Sequence, residues 1–251
     1  MTAIVGILCK NGVVIGADSS TTFVHGHQFR TIEQPTEKIS LIGDHVIVAG
    51  TGSVGLDQRF CAIVKAAWDQ KLFQRDPIAV GKKLSQDFLR DLQDTFLKPG
   101  QYGALVAFPF GHRFHLCEFT LSDFQPELKT EKIWYCSMGS AQMIMDPFLA
   151  LMREVYWEDS PPDIQDGVFA ATWTIEHAIK VNPGGVNKPI RIAVLELGKK
   201  GKTHARMLED SELDEHRQNI KEAKEQLRKL RRQHQELSPD IPDVPKPEKL
   251  K

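Results

Sequence analysis

Thr2 is a small residue behind Met1, so a methionine aminopeptidase is expected to remove Met1 and leave Thr2 as the mature N-terminus. That puts a hydroxyl and a free α-amine on one residue. The reference pKa of an α-amine is roughly 8, so a sizeable part is neutral near pH 7. A hydroxyl is a weak nucleophile until a base takes its proton, and an N-terminal amine on the same residue is one known base. Taken alone, Thr2 reads as an ordinary second residue, and the case for chemistry rests on groups elsewhere in the chain. A carboxylate, Asp18, stands where the second apolar run ends. Further on, Ala49-Gly50-Thr51-Gly52-Ser53 is a Gly-rich strand end that leads into a helix. Such an end leaves backbone N–H groups free for an anion or an oxyanion. It lacks the Lys-Ser/Thr ending of a phosphate-binding loop, which argues against a nucleotide. His25 and His27 have an i, i+2 spacing that could ligate a metal, but no Cys, Asp or Glu cluster lies nearby. A solvated loop is the better reading, and no metal or other cofactor is expected.

The elements that must position these groups are legible in outline. Residues 3–9 are apolar, Lys10-Asn11-Gly12 is a tight-turn signal, and residues 13–17 form a second strand. An antiparallel return places Asp18 beside Thr2. Residues 19–35 read as a polar loop. A second hairpin comes next, with strands over 36–42 and 45–50. It leads into two amphipathic helices, one capped by Ser53 and running to about Phe73, the other starting at Pro77 and reaching about Leu97. Strands are expected over 102–108, 114–119 and 132–136. Helices are expected over 140–157 and 165–180, and closing strands over 189–197 and 203–208. Strands in blocks and helices in pairs argue for stacked antiparallel sheets with helices on both outer faces.

The totals fit this reading. With 251 residues and 41% hydrophobic content, the chain has enough apolar material for one sizeable core. A net charge of −1 gives no global pull toward nucleic acid or an anionic membrane. No apolar run approaches the roughly 20 residues of a membrane span, and no secretory signal pattern opens the chain. Cys9, Cys61, Cys117 and Cys136 are scattered without metal-like pairing, which suits a reducing, cytosolic setting.

Residues 209–237 differ from the rest. Glu209, Asp210, Glu212, Asp214 and Glu215 crowd the start of this segment, and Arg228, Lys229, Arg231 and Arg232 crowd its end. That order complements a helix dipole. Leu213, Ile220, Leu227 and His234 make one heptad track, and His216, Ala223, Leu230 and Leu237 the other. Either a weak coiled-coil seam or an amphipathic helix docked on its own or a neighbouring subunit explains the pattern. Residues 238–251 are rich in Pro, Lys, Glu and Asp and are expected to be disordered.

Five motifs in series carry a resemblance. They are Thr2-Ala3-Ile4-Val5-Gly6, then Gly12 through Ser19, Glu37-Lys38-Ile39, Val48-Ala49-Gly50 and Met138-Gly139-Ser140-Ala141. Their order and approximate spacing are similar to those of proteasome β-type subunits, N-terminal nucleophile hydrolases with an αββα sandwich. The resemblance covers residues 2–208, and with Thr2 at residue 2 it looks like a bacterial-type proteasome homologue that needs no long propeptide. It implies a threonine-type endopeptidase in self-assembled, stacked rings that enclose the sites. Peptides or unfolded proteins are the implied substrates, and an ATP-dependent unfoldase would be a separate partner.

The resemblance also implies roles for individual residues. Thr2 is the nucleophile, and Lys38 lowers the pKa of its hydroxyl. Asp18 holds Lys38, the Gly50 N–H serves the oxyanion, and Ser140 bonds near the Thr2 amine. Val48, Thr21 and Thr36 shape a first specificity pocket for small-to-medium apolar or neutral side chains. The sequence departs from the family at Asn182-Pro183-Gly184-Gly185, where the usual Asp is missing, and at Ser20, where Arg is common. Two rival readings use the same fold: an amidase or acylase acting on small amides, and a catalytically weak assembly protein.

Overall fold

The computed structural model describes residues 2–23, 32–158, 160–182, 185–198 and 201–237. Strands β1 (Ile4–Cys9) and β2 (Gly12–Ala17) form the expected hairpin, with Ile4 opposite Ala17 and Cys9 opposite Gly12. The segment read as a polar loop contains two short paired strands, β3 (Ser20–Phe23) and β4 (Ile32–Pro35). Their mixed composition hides them from a hydrophobicity pattern. His25 and His27 lie outside the described residues. The second hairpin joins β5 (Ile39–Ile42) to β6 (Val46–Gly52). Helices α1 (Val54–Asp69) and α2 (Pro77–Asp94) come after it, separated by a 3-10 turn at Leu72–Gln74.

Strands β7 (Tyr102–Phe110), β8 (Arg113–Phe119), β9 (Pro126–Leu128) and β10 (Tyr135–Met138) lead to α3 (Gln142–Met152). A π-helical turn, Arg153–Trp157, extends α3. The chain closes with α4 (Ile164–Val181), β11 (Arg191–Leu197), β12 (Thr203–Met207) and α5 (Glu212–Leu237).

The strands make two five-stranded antiparallel sheets, ordered β10-β1-β2-β11-β12 and β5-β6-β7-β8-β9. Alternate residues of each central strand point to opposite faces, and both faces are buried. Val5 and Ile7 pack toward α3 and α4, whereas Ile4, Val13 and Ile15 meet Ile47, Leu105 and Ala107 between the sheets. Val46, Val48, Val106 and Phe108 face α1 and α2. The result is a four-layer αββα sandwich of the α+β class. Burial on both faces explains why these strands read as continuous apolar runs.

Local chemistry sets several element ends. Asp76 caps α2, accepting from the Ile78 and Ala79 N–H groups at 3.0 and 3.3 Å, and Pro77 occupies the first turn. Asp163 caps α4 through Asp166 N–H at 2.9 Å. Ser53 precedes α1 as expected, but its side chain makes no capping bond. The strand expected at 132–136 falls at β10, because pairing with β1 sets Ile4 opposite Met138 and Ile7 opposite Tyr135.

Helix α5 docks Leu213, His216 and Ile220 against the core, with Ala223 partly buried beside them. Beyond that point Leu227 and Leu230 are exposed. The first half of the heptad tracks is therefore used on the chain's own α4. Among the described residues, no helix is long and apolar enough to cross a membrane.

Candidate active site

Thr2 sits just before β1, between the end of β2 and the end of β10. The hairpin register carries one step past Ile4 and Ala17, so Asp18 N–H donates to the Ala3 carbonyl at 3.1 Å. In return the Ala3 N–H donates to Asp18 Oδ1 at 2.8 Å. Asp18 is 1% exposed and accepts three further bonds. These come from Lys38 Nζ at 2.6 Å on Oδ1, and from the Ser20 and Asn187 N–H groups at 3.1 and 3.4 Å on Oδ2. A carboxylate taken this far out of water is tolerable only with such a set of donors.

Lys38 enters from the other sheet, immediately before β5, and is 8% exposed. It crosses the interface between the two sheets to reach Asp18, which fixes where its ammonium lies. Ser140 arrives from the turn after β10. The Thr2 nitrogen donates to Ser140 Oγ at 3.0 Å, and the Thr2 carbonyl accepts from Ala141 N–H at 3.2 Å. Gly139 makes that turn possible. Its φ of +98° is in the left-handed region, and a Cβ there would stand 2.3 Å from the Thr2 carbonyl oxygen. Gly139→Ala should destabilise the fold by about 1–3 kcal/mol through strain alone. Urea unfolding checks this, and a wild-type midpoint would contradict the tight turn.

A cavity of about 90 Å³ opens beside Thr2, on the scale of one side chain. Thr36, Lys38, Gly50, Thr51, Asp57 and Tyr102 are among its lining residues. Of the residues expected to shape a specificity pocket, Thr36 lies on this wall. Val48 does not: it is 1% exposed and packed in the core under α1 and α2. The Thr21 side chain lies outside the described residues. Gly50 lines the cavity, yet its N–H donates to the Lys38 carbonyl at 3.3 Å, a long bond one step beyond the β5–β6 ladder.

Asn187, Asp57 and Tyr102 are the residues that sequence reasoning missed. Asn187 contributes through its backbone, giving its N–H to Asp18 and accepting from Ser19 N–H at 3.2 Å. The loop after α4 is thus tied to Asp18 even though it lacks the family's Asp. Asp57, in the first turn of α1, accepts a bond from the Tyr102 hydroxyl at 2.8 Å. Burial raises the Asp57 carboxyl pKa, and the Tyr102 bond offsets part of that rise.

The cysteines offer no rival nucleophile. Burial pushes the Cys61 thiol up to about 11 and the Cys117 thiol up to about 12, so neither supplies thiolate near neutrality. The arrangement instead presents a hydroxyl, a buried ammonium held by a carboxylate, and a nitrogen anchored by a serine around one cavity. That set suits activation of a hydroxyl for attack on a carbonyl.

The fold and this site meet in one class, the αββα sandwich with its first strand opening at the site. The chain belongs to the proteasome subunit family, which matches residues 2–180. It is 32% identical over 101 residues to proteasome subunit beta 1 of Thermococcus sibiricus, a stretch covering 40% of this chain and 44% of that one. It is 29% identical over 106 residues to proteasome subunit beta 1 of Thermococcus kodakarensis, covering 42% and 48%. The matched stretch thus spans about half the length of these curated relatives. Proteasome β subunits are N-terminal nucleophile hydrolases, which supports a proteasome-type peptidase at the level of the family.

Proposed function

We propose that this chain is a threonine-type endopeptidase subunit, with Thr2 as nucleophile once Met1 has been removed. The observation that carries the proposal is the convergence on Thr2 of groups from both sheets. Its nitrogen bonds Ser140, its neighbour Ala3 bonds Asp18, and Asp18 holds Lys38 on the wall of the same cavity.

In this reading the α-amine takes the Thr2 hydroxyl proton, through a water, as Oγ attacks the scissile carbonyl carbon. The Lys38 ammonium lowers the hydroxyl pKa by its charge. The carbonyl electron pair moves onto oxygen, and the Gly50 N–H serves this oxyanion by sharing its long bond to the Lys38 carbonyl. Collapse breaks the C–N bond, and the protonated Thr2 α-amine returns the proton to the leaving amine. Water, deprotonated by the same amine, then attacks the Thr2 ester; the C–O bond breaks, the α-ammonium returns the proton to Thr2 Oγ, and the acid leaves.

Family membership supports assembly into multi-subunit rings, which would enclose the sites and admit extended peptide or unfolded protein. An ATP-dependent unfoldase would be a separate partner. The test is to fractionate the purified full chain by size and assay each fraction with unstructured peptides and small amides. Peptide hydrolysis should elute with a multi-subunit assembly. Hydrolysis confined to small amides, or its absence from every fraction, would overturn the proposal.

A further inference from the structure

The cavity beside Thr2 has charged residues among the neutral ones on its wall. Thr36, Thr51 and Ser53 line it, and among the described residues Val54 is its one aliphatic residue. The charges are unequal. Lys38 is already balanced by Asp18 at 2.6 Å. Asp57 has one bond, from the Tyr102 hydroxyl to Oδ1, and among the described residues no cation pairs with it. Exposed Glu37 also lines the cavity.

Asp57 is also held in place. Tyr102 stands opposite Gly52 in the β6–β7 ladder, and its ring packs at 5.8 Å from Phe60 and 5.4 Å from Phe88. A Cβ on Gly50 would lie 2.0 Å from Asp57 Oδ1 and 2.5 Å from the Tyr102 hydroxyl. The Asp57–Tyr102 pair therefore rests against the strand backbone that lines the Thr2 cavity, and glycine at position 50 is what admits it.

We propose that Asp57 makes this cavity select a cationic side chain, lysine or arginine, on the acyl side of the scissile bond. The inference rests on Thr2 being the nucleophile and deepens that reading to a substrate class. A half-buried carboxylate with one neutral donor has lost more hydration than its partner returns, and an ammonium or guanidinium entering the cavity supplies the missing partner. Apolar and acidic side chains supply nothing and, for the acidic ones, add repulsion.

The test uses the full chain and a panel of peptides that differ only in the acyl-side residue: lysine, arginine, norleucine and glutamate. Lysine and arginine should exceed norleucine by about tenfold or more in kcat/KM. Asp57→Asn, which keeps the shape and an acceptor for Tyr102, should shrink that ratio to about twofold, and the ratio does not depend on how much of the variant folds. In the unmutated chain, raising ionic strength should narrow the same ratio, which gives a readout free of mutation. A preference for norleucine or glutamate, or a cationic preference that survives in Asp57→Asn, would overturn the inference while leaving Thr2 catalysis standing. Failure of every probe, including a norleucine epoxyketone, to form an adduct on Thr2 would overturn the catalytic reading and this inference together.

Discussion

Replacing Thr2 with alanine should leave a folded, assembled chain whose peptide hydrolysis falls by on the order of 10⁴-fold or more, the scale seen when a nucleophile is removed from a hydrolase. Alanine is as small as threonine for the enzyme that removes Met1, so processing is unchanged and only the hydroxyl is lost. The Thr2 backbone bonds to Ser140 and Ala141 do not involve the side chain and should persist. Thr2→Ser keeps a hydroxyl on the same amine and should retain measurable turnover. Steady-state hydrolysis of a peptide panel distinguishes the two. Equal turnover in Thr2→Ala and the parent chain would remove Thr2 from the mechanism.

Lys38 should show two separable effects. Lys38→Ala takes the cation from a carboxylate that is 1% exposed and leaves Asp18 with three backbone donors. Removing one partner of a buried pair costs about 3–5 kcal/mol, and the remaining donors place this case near 3 kcal/mol. Turnover should also be lost, because the hydroxyl no longer has a cation beside it. Lys38→Arg keeps the charge and the pair with Asp18, so most of the stability should return. Turnover should not, because arginine spreads its charge over a broad planar fork and does not set a compact ammonium beside the hydroxyl. Urea unfolding and peptide hydrolysis on the same samples read out the two effects. A Lys38→Arg variant with full turnover would reduce Lys38 to a structural cation.

How much of this site was legible in the sequence depended on whether the signal was local. Asn11-Gly12 between two apolar runs specified the first hairpin, and its register alone delivers Asp18 opposite Ala3. Lys38 and Ser140 were not marked by any local pattern. An isolated lysine before a strand and a serine before a helix have ordinary explanations, and only the series of motifs singled them out. Asp57 was hidden for the opposite reason. An acid in the first turn of a helix is what the helix dipole favours, so it looked fully explained. Its partner Tyr102 lies 45 residues away and meets it only when β7 pairs with β6. Asn187 acts through its backbone, which no choice of side chain advertises. Val48 misled because a strand residue next to a functional glycine can face either the cavity or the helices, and here the helices claim it. The 26-residue α5 was visible from charge and heptad spacing, but packing of Leu213, His216 and Ile220 on α4 is a tertiary fact.

The central claim is that Thr2 becomes a free N-terminal nucleophile, and mass spectrometry of the purified chain tests it most directly. The intact mass and the N-terminal peptide should be measured before and after treatment with a β-lactone probe. The account predicts a chain beginning at Thr2 that gains one probe-derived acyl group on the Thr2 hydroxyl. A retained Met1, or a chain that takes up no adduct on Thr2, would contradict it.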